Sequence, residues 1–180
     1  MDLYACSRAL TVLVVLTAGL PAPGSPPEAP PGASTRTVVL KDQRGRAVGR
    51  VTLMDTAHGL VVRGSLKGLS RGPHAIHFHE TGKCEPPFKS AGGHFNPTQK
   101  AHGMMDPGGL HAGDLPNLVI PKGGKVEFEL FAEALTLADG PNSVLDADGT
   151  ALVIHAKADD HRTQPSGDAG DRIACGVIPR

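Results

Sequence analysis

The sequence predicts an all-β domain of seven or eight short strands, folded as a sandwich or a flattened barrel. Gly 23 and Pro 16 against only 3% aromatic residues point to many turns between short strands. In Lys125-Val126-Glu127-Phe128-Glu129-Leu130, apolar and charged residues alternate strictly, which is the period of a strand with one face on a core and the other in water. Thr37 to Lys41 and Gly49 to Asp55 are separated by the polar turn sequence Asp42-Gln43-Arg44-Gly45, so the domain opens on paired strands.

Taken in order, residues 1–22 read as an export signal. Arg8 precedes the apolar run Ala9 to Leu20, long enough for a signal core but short of the roughly 20 residues that span a bilayer. Asp2 offsets Arg8, and no small-x-small cleavage site stands out around Pro21 to Gly24. Cys6 lies before the apolar run and is expected to leave with the signal. Residues 23–34, rich in Pro, Ala and Gly, hold too little apolar surface to fold and form a tether. Residues 35–180 are then one domain of ordinary size. Gly59 to Leu66 follows Thr56-Ala57-His58 and extends the meander, Gly72 to Glu80 reads as extended, and Ala151 to His155 and Ala174 to Ile178 supply the last strands. Two long excursions, 81–121 and 156–173, interrupt them, and loops of that length in a compact domain are usually functional. Formal net charge is zero, with Lys+Arg 18 against Asp+Glu 18, so nothing points to nucleic acid or an acidic polymer as partner.

The chemistry gathers between His74 and Asp114. His77 and His79 lie two apart on an extended segment, so alternation puts both rings on one face. Two neutral imidazoles side by side suit copper or zinc. His94, His102, His111 and Asp114 follow along a Gly/Pro-rich chain able to fold around an ion. They supply three nitrogens and one oxygen, a closed tetrahedral zinc set of structural type. His155 would have to come across from another strand to complete a histidine-only site beside His77 and His79. His74 is read as packing or hydrogen-bonding beneath the site, His58 and His161 as solvated, and Asp106 and Asp160 as loop caps.

Gly-Pro-His-Ala-Ile-His-Phe-His-Glu (72 to 80), Ser-Ala-Gly-Gly-His-Phe-Asn-Pro (90 to 97), Leu-His-Ala-Gly-Asp-Leu-Pro-Asn-Leu (110 to 118) and Gly-Asp-Arg-Ile-Ala-Cys-Gly-Val-Ile (170 to 178) resemble copper/zinc superoxide dismutase of the bacterial, exported kind. The resemblance runs from about Thr35 to the C-terminus. It implies a Greek-key β-sandwich or flattened eight-stranded barrel with two long functional loops. Carried over by position, copper ligands fall on His77, His79, His94 and His155, and zinc ligands on His94, His102, His111 and Asp114, with His94 serving both. It places a substrate-guiding arginine at Arg172, a disulfide at Cys84 and Cys175, and an aspartate linking the two sites at Asp159. The resemblance thus implies Arg172 and His94 as the catalytic residues.

The resemblance also implies copper and zinc as cofactors and superoxide anion as substrate, converted to dioxygen and hydrogen peroxide by copper cycling between two oxidation states. It implies a periplasmic or secreted protein that shields the cell envelope and leaves the membrane once its signal is removed. The family holds both monomers and dimers, so a homodimer is compatible with it. The loop 160–171 lacks the paired glutamates and lysine of the animal enzymes' guiding loop, and Lys89 in the first loop is the other basic group considered for steering. Two rival readings are a non-enzymatic copper-holding or zinc-only module on the same scaffold, and a secreted β-sandwich without chemistry.

Overall fold

A computed structural model describes residues 33–180. The expected signal lies outside the described residues, as does the tether except for Ala33 and Ser34. Nine strands are described: β1 (Thr35–Asp42), β2 (Ala47–Thr56), β3 (Gly59–Lys67), β4 (Gly72–His74), β5 (Ile76–His79), β6 (Leu118–Ile120), β7 (Lys125–Ala132), β8 (Ala151–His155) and β9 (Arg172–Val177). A seven-stranded antiparallel sheet runs β5-β8-β9-β1-β2-β3-β7, and β4 pairs with β6 in a second sheet.

The extended segment at 72–80 is broken where it turns from one sheet to the other. His74 pairs with Leu118 of β6, whereas Ile76 pairs with Ile154 of β8. Ala75 is the corner: its N–H donates to Lys157 O at 2.8 Å and its carbonyl accepts from His155 N–H at 2.9 Å. With β4 and β5 counted as one bent strand there are eight strands, within the seven or eight expected; the eighth, β6, lies inside the excursion 81–121 that the sequence predicts as loop.

The core follows from alternation. Val38 and Leu40 of β1, Val51 and Leu53 of β2, and Leu60, Val62 and Leu66 of β3 turn to one face and are buried with Ile76, Phe78, Leu152 and Ile154. Each such side chain contributes about 1.5–3 kcal/mol by leaving water. Val126, Phe128 and Leu130 share one face of β7 as expected, but they are only partly buried, because β7 ends the large sheet and only the short β6 lies beyond it. Strand β8 is buried on both faces, which explains its unbroken apolar run. Leu152 and Ile154 enter the core, while Ala151 and Val153 lie under Phe88, Ala91 and Cys175. The outer face of β5 and β8, roofed by loops, is where the histidines gather.

Residues 133–150 form a third long excursion that the sequence reading did not set apart. It plugs the core with Leu135, Leu137 and Val144, and Asp55 holds it by accepting from Leu137 N–H at 3.1 Å and Thr136 Oγ1 at 3.0 Å.

Cys84 and Cys175 are joined, with Cα atoms 5.7 Å apart and a sequence separation of 91. A closure of that length stabilises the fold by about 4–5 kcal/mol in the chain-entropy model. Cys84→Ser in the full chain should therefore lower the melting temperature by on the order of 10 °C. A melting curve unchanged by the substitution would show that the bridge does not restrain the first loop.

Candidate metal centre

Two groups of ligand atoms come together among the described residues, each with its atoms within 4.8 Å of one another: His77, His79, His94 and His155, and His94, His102, His111 and Asp114. All seven residues are buried. Strand β5 brings His77 and His79 on one face and β8 brings His155. The first loop brings the remaining four, with Phe95 N–H to Phe78 O at 2.8 Å and Phe78 N–H to Gly113 O at 2.9 Å pinning it across β5.

In most of these rings one nitrogen is tied to the protein and the other is left facing the group. His77 Nε2 donates to Asp159 Oδ2 at 2.8 Å, and its Nδ1 is buried without a hydrogen-bond partner. His79 Nδ1 donates to Gly92 O at 3.1 Å, and His155 Nδ1 lies 3.3 Å from Gly170 O. Their Nε2 atoms face each other at 3.3 Å. His94 Nδ1 lies 2.7 Å from Asp114 Oδ1, while its Nε2 is buried and unpartnered. His102 Nε2 donates to Asp159 Oδ1 at 3.0 Å; its Nδ1 approaches Asp114 Oδ2 at 3.0 Å but out of hydrogen-bond alignment. His111 Nδ1 sits 3.4 Å from His94 Nδ1 and from Asp114 Oδ1.

Two imidazole nitrogens converging at about 3.3 Å need a proton or a cation between them, and a buried ring nitrogen without a partner costs on the order of 1–3 kcal/mol. The donor sets therefore fit cations. One is made of imidazoles alone and suits copper; the other, of three imidazoles and a carboxylate, suits zinc. Asp114 is prepared for this: Gly103 N–H and His111 N–H both donate to its Oδ2 at 3.1 Å.

Asp159 connects the groups by accepting from His77 and His102, which fixes the nitrogen each ring presents inward. Arg172 opens β9, with Nη1 donating to Phe88 O at 2.8 Å and Nη2 to Gly92 O at 2.6 Å. Gly92 O thus serves both His79 and Arg172. Arg172 lines a cleft of about 500 Å³ with Lys89, Gln43, Pro87, Gly170 and Asp171.

His74 hydrogen-bonds beneath the site as expected, to His155 O at 2.7 Å. Asp106 and Asp160 cap loop N–H groups, and His58 is exposed. His161 departs from expectation: it is half-buried against Asp159 and Asn117. The sequence reading also missed Asn117, Gln164 and Gly167. Gln164 exchanges two hydrogen bonds with the backbone of His102, at 2.8 and 2.9 Å, and Gly167 packs on Asp159. Nothing in the spacing of an isolated amide or glycine marks such a role.

In the metal-free protein, burial holds the His79 ring well below its ordinary pKa and takes His94 down to about 4 and His155 to about 3. Burial acts the same way on His102, but Asp114 and Asp159 outweigh it and hold that ring up at about 9. Burial would raise the two carboxylates, yet contacts with His102 and the other rings keep both far below the usual range. The signs separate by window. His79, His94 and His155 cost stability as pH falls below 6.5, because the unfolded chain takes up protons there that the fold refuses. His102 stabilises below 6.5 and loses that contribution as pH rises through about 9. The carboxylates stabilise above 3.8 and lose it below. The metal-free protein should melt at progressively lower temperature from pH 6.5 to about 4. A flat profile over that window, by calorimetry, would contradict the buried neutral rings.

Comparison with known proteins agrees with this geometry. Residues 47–178 match the family model described as copper/zinc superoxide dismutase. A superoxide dismutase [Cu-Zn] of Caulobacter vibrioides is 44% identical over 146 residues, covering 79% of this chain and 84% of the relative. One from Aquifex aeolicus is 45% identical over 142 residues, covering 77% and 83%. Among solved structures, a SOD-like protein from Bacillus subtilis superposes with TM-score 0.77 at 41% identity, covering 79% of this chain and 97% of that one. The Cu/Zn superoxide dismutase from Brucella abortus does so with TM-score 0.68 at 29% identity, covering 81% and 100%. A family model that spans most of the chain, and relatives this similar over more than two thirds of it, leave one conclusion: the chain belongs to the copper/zinc superoxide dismutase family, oxidoreductases that act on superoxide with copper and zinc as cofactors.

Proposed function

We propose that this protein dismutates superoxide outside the cytoplasm, with copper held by His77, His79, His94 and His155 and zinc by His94, His102, His111 and Asp114. The observation that carries the reading is His94, the one ring present in both groups, with Nδ1 on the side of Asp114 and Nε2 buried without a protein partner. Bound there, copper would supply one-electron exchange with superoxide and zinc a fixed charge, for a net reaction of two superoxide anions and two protons to dioxygen and hydrogen peroxide. The chain supplies the proton handling. His94 Nε2, whenever it is not engaged as a ligand, is the atom at which a proton can be held for the peroxide product, since Nδ1 remains committed beside Asp114. Asp159 keeps His77 and His102 in single tautomers and spares the site a search among ring orientations.

Arg172 is the proposed guide for the anion. Of the five N–H donors of a guanidinium, two are spent on Phe88 O and Gly92 O, which fixes the cation at the wall of the cleft. A fixed cation in a narrow cleft raises the local concentration of a small anion, an effect known for this family and weakened by salt. Lys89 lines the same cleft and is proposed as the second steering charge. Arg172→Ile should lower the low-salt dismutation rate roughly tenfold and flatten its ionic-strength dependence, with bound copper unchanged. An unaltered salt slope would dismiss the steering role.

Reconstitution with copper and zinc, followed by elemental analysis and superoxide decay measurement, tests the whole reading. Metal uptake without dismutation would favour the rival copper-holding module. The Cys84–Cys175 bridge suits an oxidising compartment, and related proteins from Haemonchus contortus and Caenorhabditis elegans are named extracellular superoxide dismutases. Accordingly residues 1–22 are proposed as the export signal, 23–34 as the tether and 35–180 as the catalytic domain, working in the periplasm or secreted to protect the envelope. N-terminal sequencing of the protein from a periplasmic extract should begin near residue 22. A full-length chain retained in the membrane fraction would reject export by cleavage.

A further inference from the structure

His161 stands two residues beyond Asp159 in the loop after β8, in the left-handed region at φ 59°. Its side chain is only 16% exposed, and its surroundings fix what the ring can do. Asp159 N–H donates to one atom of the Asn117 amide at 2.8 Å, so that atom is the oxygen. The other is therefore the nitrogen, and its two hydrogens serve Asp159 O at 2.8 Å and His161 Nε2 at 3.2 Å. A ring nitrogen that receives an N–H is the acceptor, so neutral His161 carries its proton on Nδ1.

That Nδ1 is buried without an aligned hydrogen-bond partner, and Asp159 Oδ2 lies 3.5 Å from it. Asp159 has about four lone-pair positions to fill. His77 Nε2 takes one on Oδ2, and His102 Nε2 and the His161 backbone N–H, the latter at 2.6 Å, take two on Oδ1. The place left over is on Oδ2, the oxygen beside the His161 ring. The same residue reaches the ligand loop, where its carbonyl accepts from Met105 N–H at 3.1 Å. The loop passes so close that a Cβ on Gly103, at φ 103°, would lie 2.2 Å from that carbonyl oxygen. Gly103 N–H in turn donates to Asp114.

We infer that His161 is a positioning residue of the metal centre: its ring sets a buried Nδ1–H 3.5 Å from Asp159 Oδ2, short of an aligned hydrogen bond but close enough to attract the carboxylate, while its backbone fastens the loop of His102 to the same carboxylate. Rotation of Asp159 is then opposed from a third side, and His77 and His102 keep the Nδ1 atom facing inward. The inference rests on the metal-centre reading above.

Full-length protein loaded with copper and zinc and carrying His161→Gly or His161→Asn tests it. Both residues accept a positive φ, but only asparagine keeps a short N–H donor near the place of Nδ1. Zinc release to a chromogenic chelator should be about tenfold faster in His161→Gly, and within about twofold of the unaltered protein in His161→Asn. The downfield proton resonances of the His77 and His102 Nε2–H groups should exchange faster with water in the glycine variant only. Release and exchange in His161→Gly equal to those of the unaltered protein would overturn the inference. So would equal acceleration in both variants, which would make the ring's donor irrelevant. An unaltered protein that takes up no zinc would instead overturn the metal-centre reading on which this stands.

Discussion

The full chain carrying Gly167→Ala is expected to bind zinc about 10–100-fold more weakly than the unaltered chain, and to lose copper-dependent activity with it. Gly167 sits at φ 69° with its backbone pressed on the linking carboxylate: an added Cβ would lie 1.8 Å from Asp159 Oδ1 and 2.8 Å from His102 Nε2. The backbone has no easy retreat, because Gly167 N–H donates to Thr163 O at 2.7 Å and its carbonyl accepts from Asp160 N–H at 2.9 Å. Asp159 must therefore turn away, which releases the Nε2–H groups of His77 and His102 together. Gly45→Ala is the matched control. That glycine is also left-handed, at φ 78°, but nothing lies within 4 Å of the Cβ position, so strain alone should cost roughly 1 kcal/mol of stability and leave the metals in place. Zinc titration of the two proteins separates the cases, and native zinc affinity in Gly167→Ala would refute the close-packing account of Asp159.

His94→Ala should abolish dismutation and weaken both metals, whereas His111→Ala should weaken zinc and leave most copper in place. The difference comes from membership: His94 belongs to both ligand groups and His111 to one. Removing the His94 ring deletes the unpartnered Nε2 of the histidine-only group and the Nδ1 that lies 2.7 Å from Asp114. It also removes the imidazole proposed to hold a proton between the two sets. Losing a ligand, a charge-bearing partner and a proton site at once should lower the rate by several powers of ten, since general acid work alone contributes about 10²–10⁴-fold. Elemental analysis with superoxide decay after pulse radiolysis reads both effects. Full copper occupancy and measurable turnover in His94→Ala would mean that the two groups do not share that ring.

How far the sequence could be read differs from part to part. The strands β1, β2, β3, β7 and β8 were legible because alternation and turn residues are local properties. Strand β6 was not, since Leu118–Ile120 pairs only with β4, from far upstream, and three residues carry no period. The exposed and half-buried faces of β7 were assigned correctly in direction but not in depth, because depth depends on which strand lies beyond it. The ligand residues could be named because imidazoles and a carboxylate are rare, chemically specific groups, and because the motifs around them resemble those of one family. Asn117, Gln164, Gly167 and His161 could not: an amide, a glycine and a loop histidine take their meaning from what they touch.

The sequence by itself determined an antiparallel β domain, its inventory of metal-ligating groups and the pair of cysteines able to bridge. These rest on side-chain chemistry and on the period of a strand, both fixed within a few residues of chain. Only the tertiary structure decided which nitrogen of each ring is spent on the protein and which is left for a cation. It also decided that Asp159 joins the two groups under the roof of Gly167, and that His161 stands against it. Those outcomes depend on contacts between segments up to 82 residues apart, as between His77 and Asp159, and hydrogen-bond direction across such a distance is set by how the strands and loops close on one another.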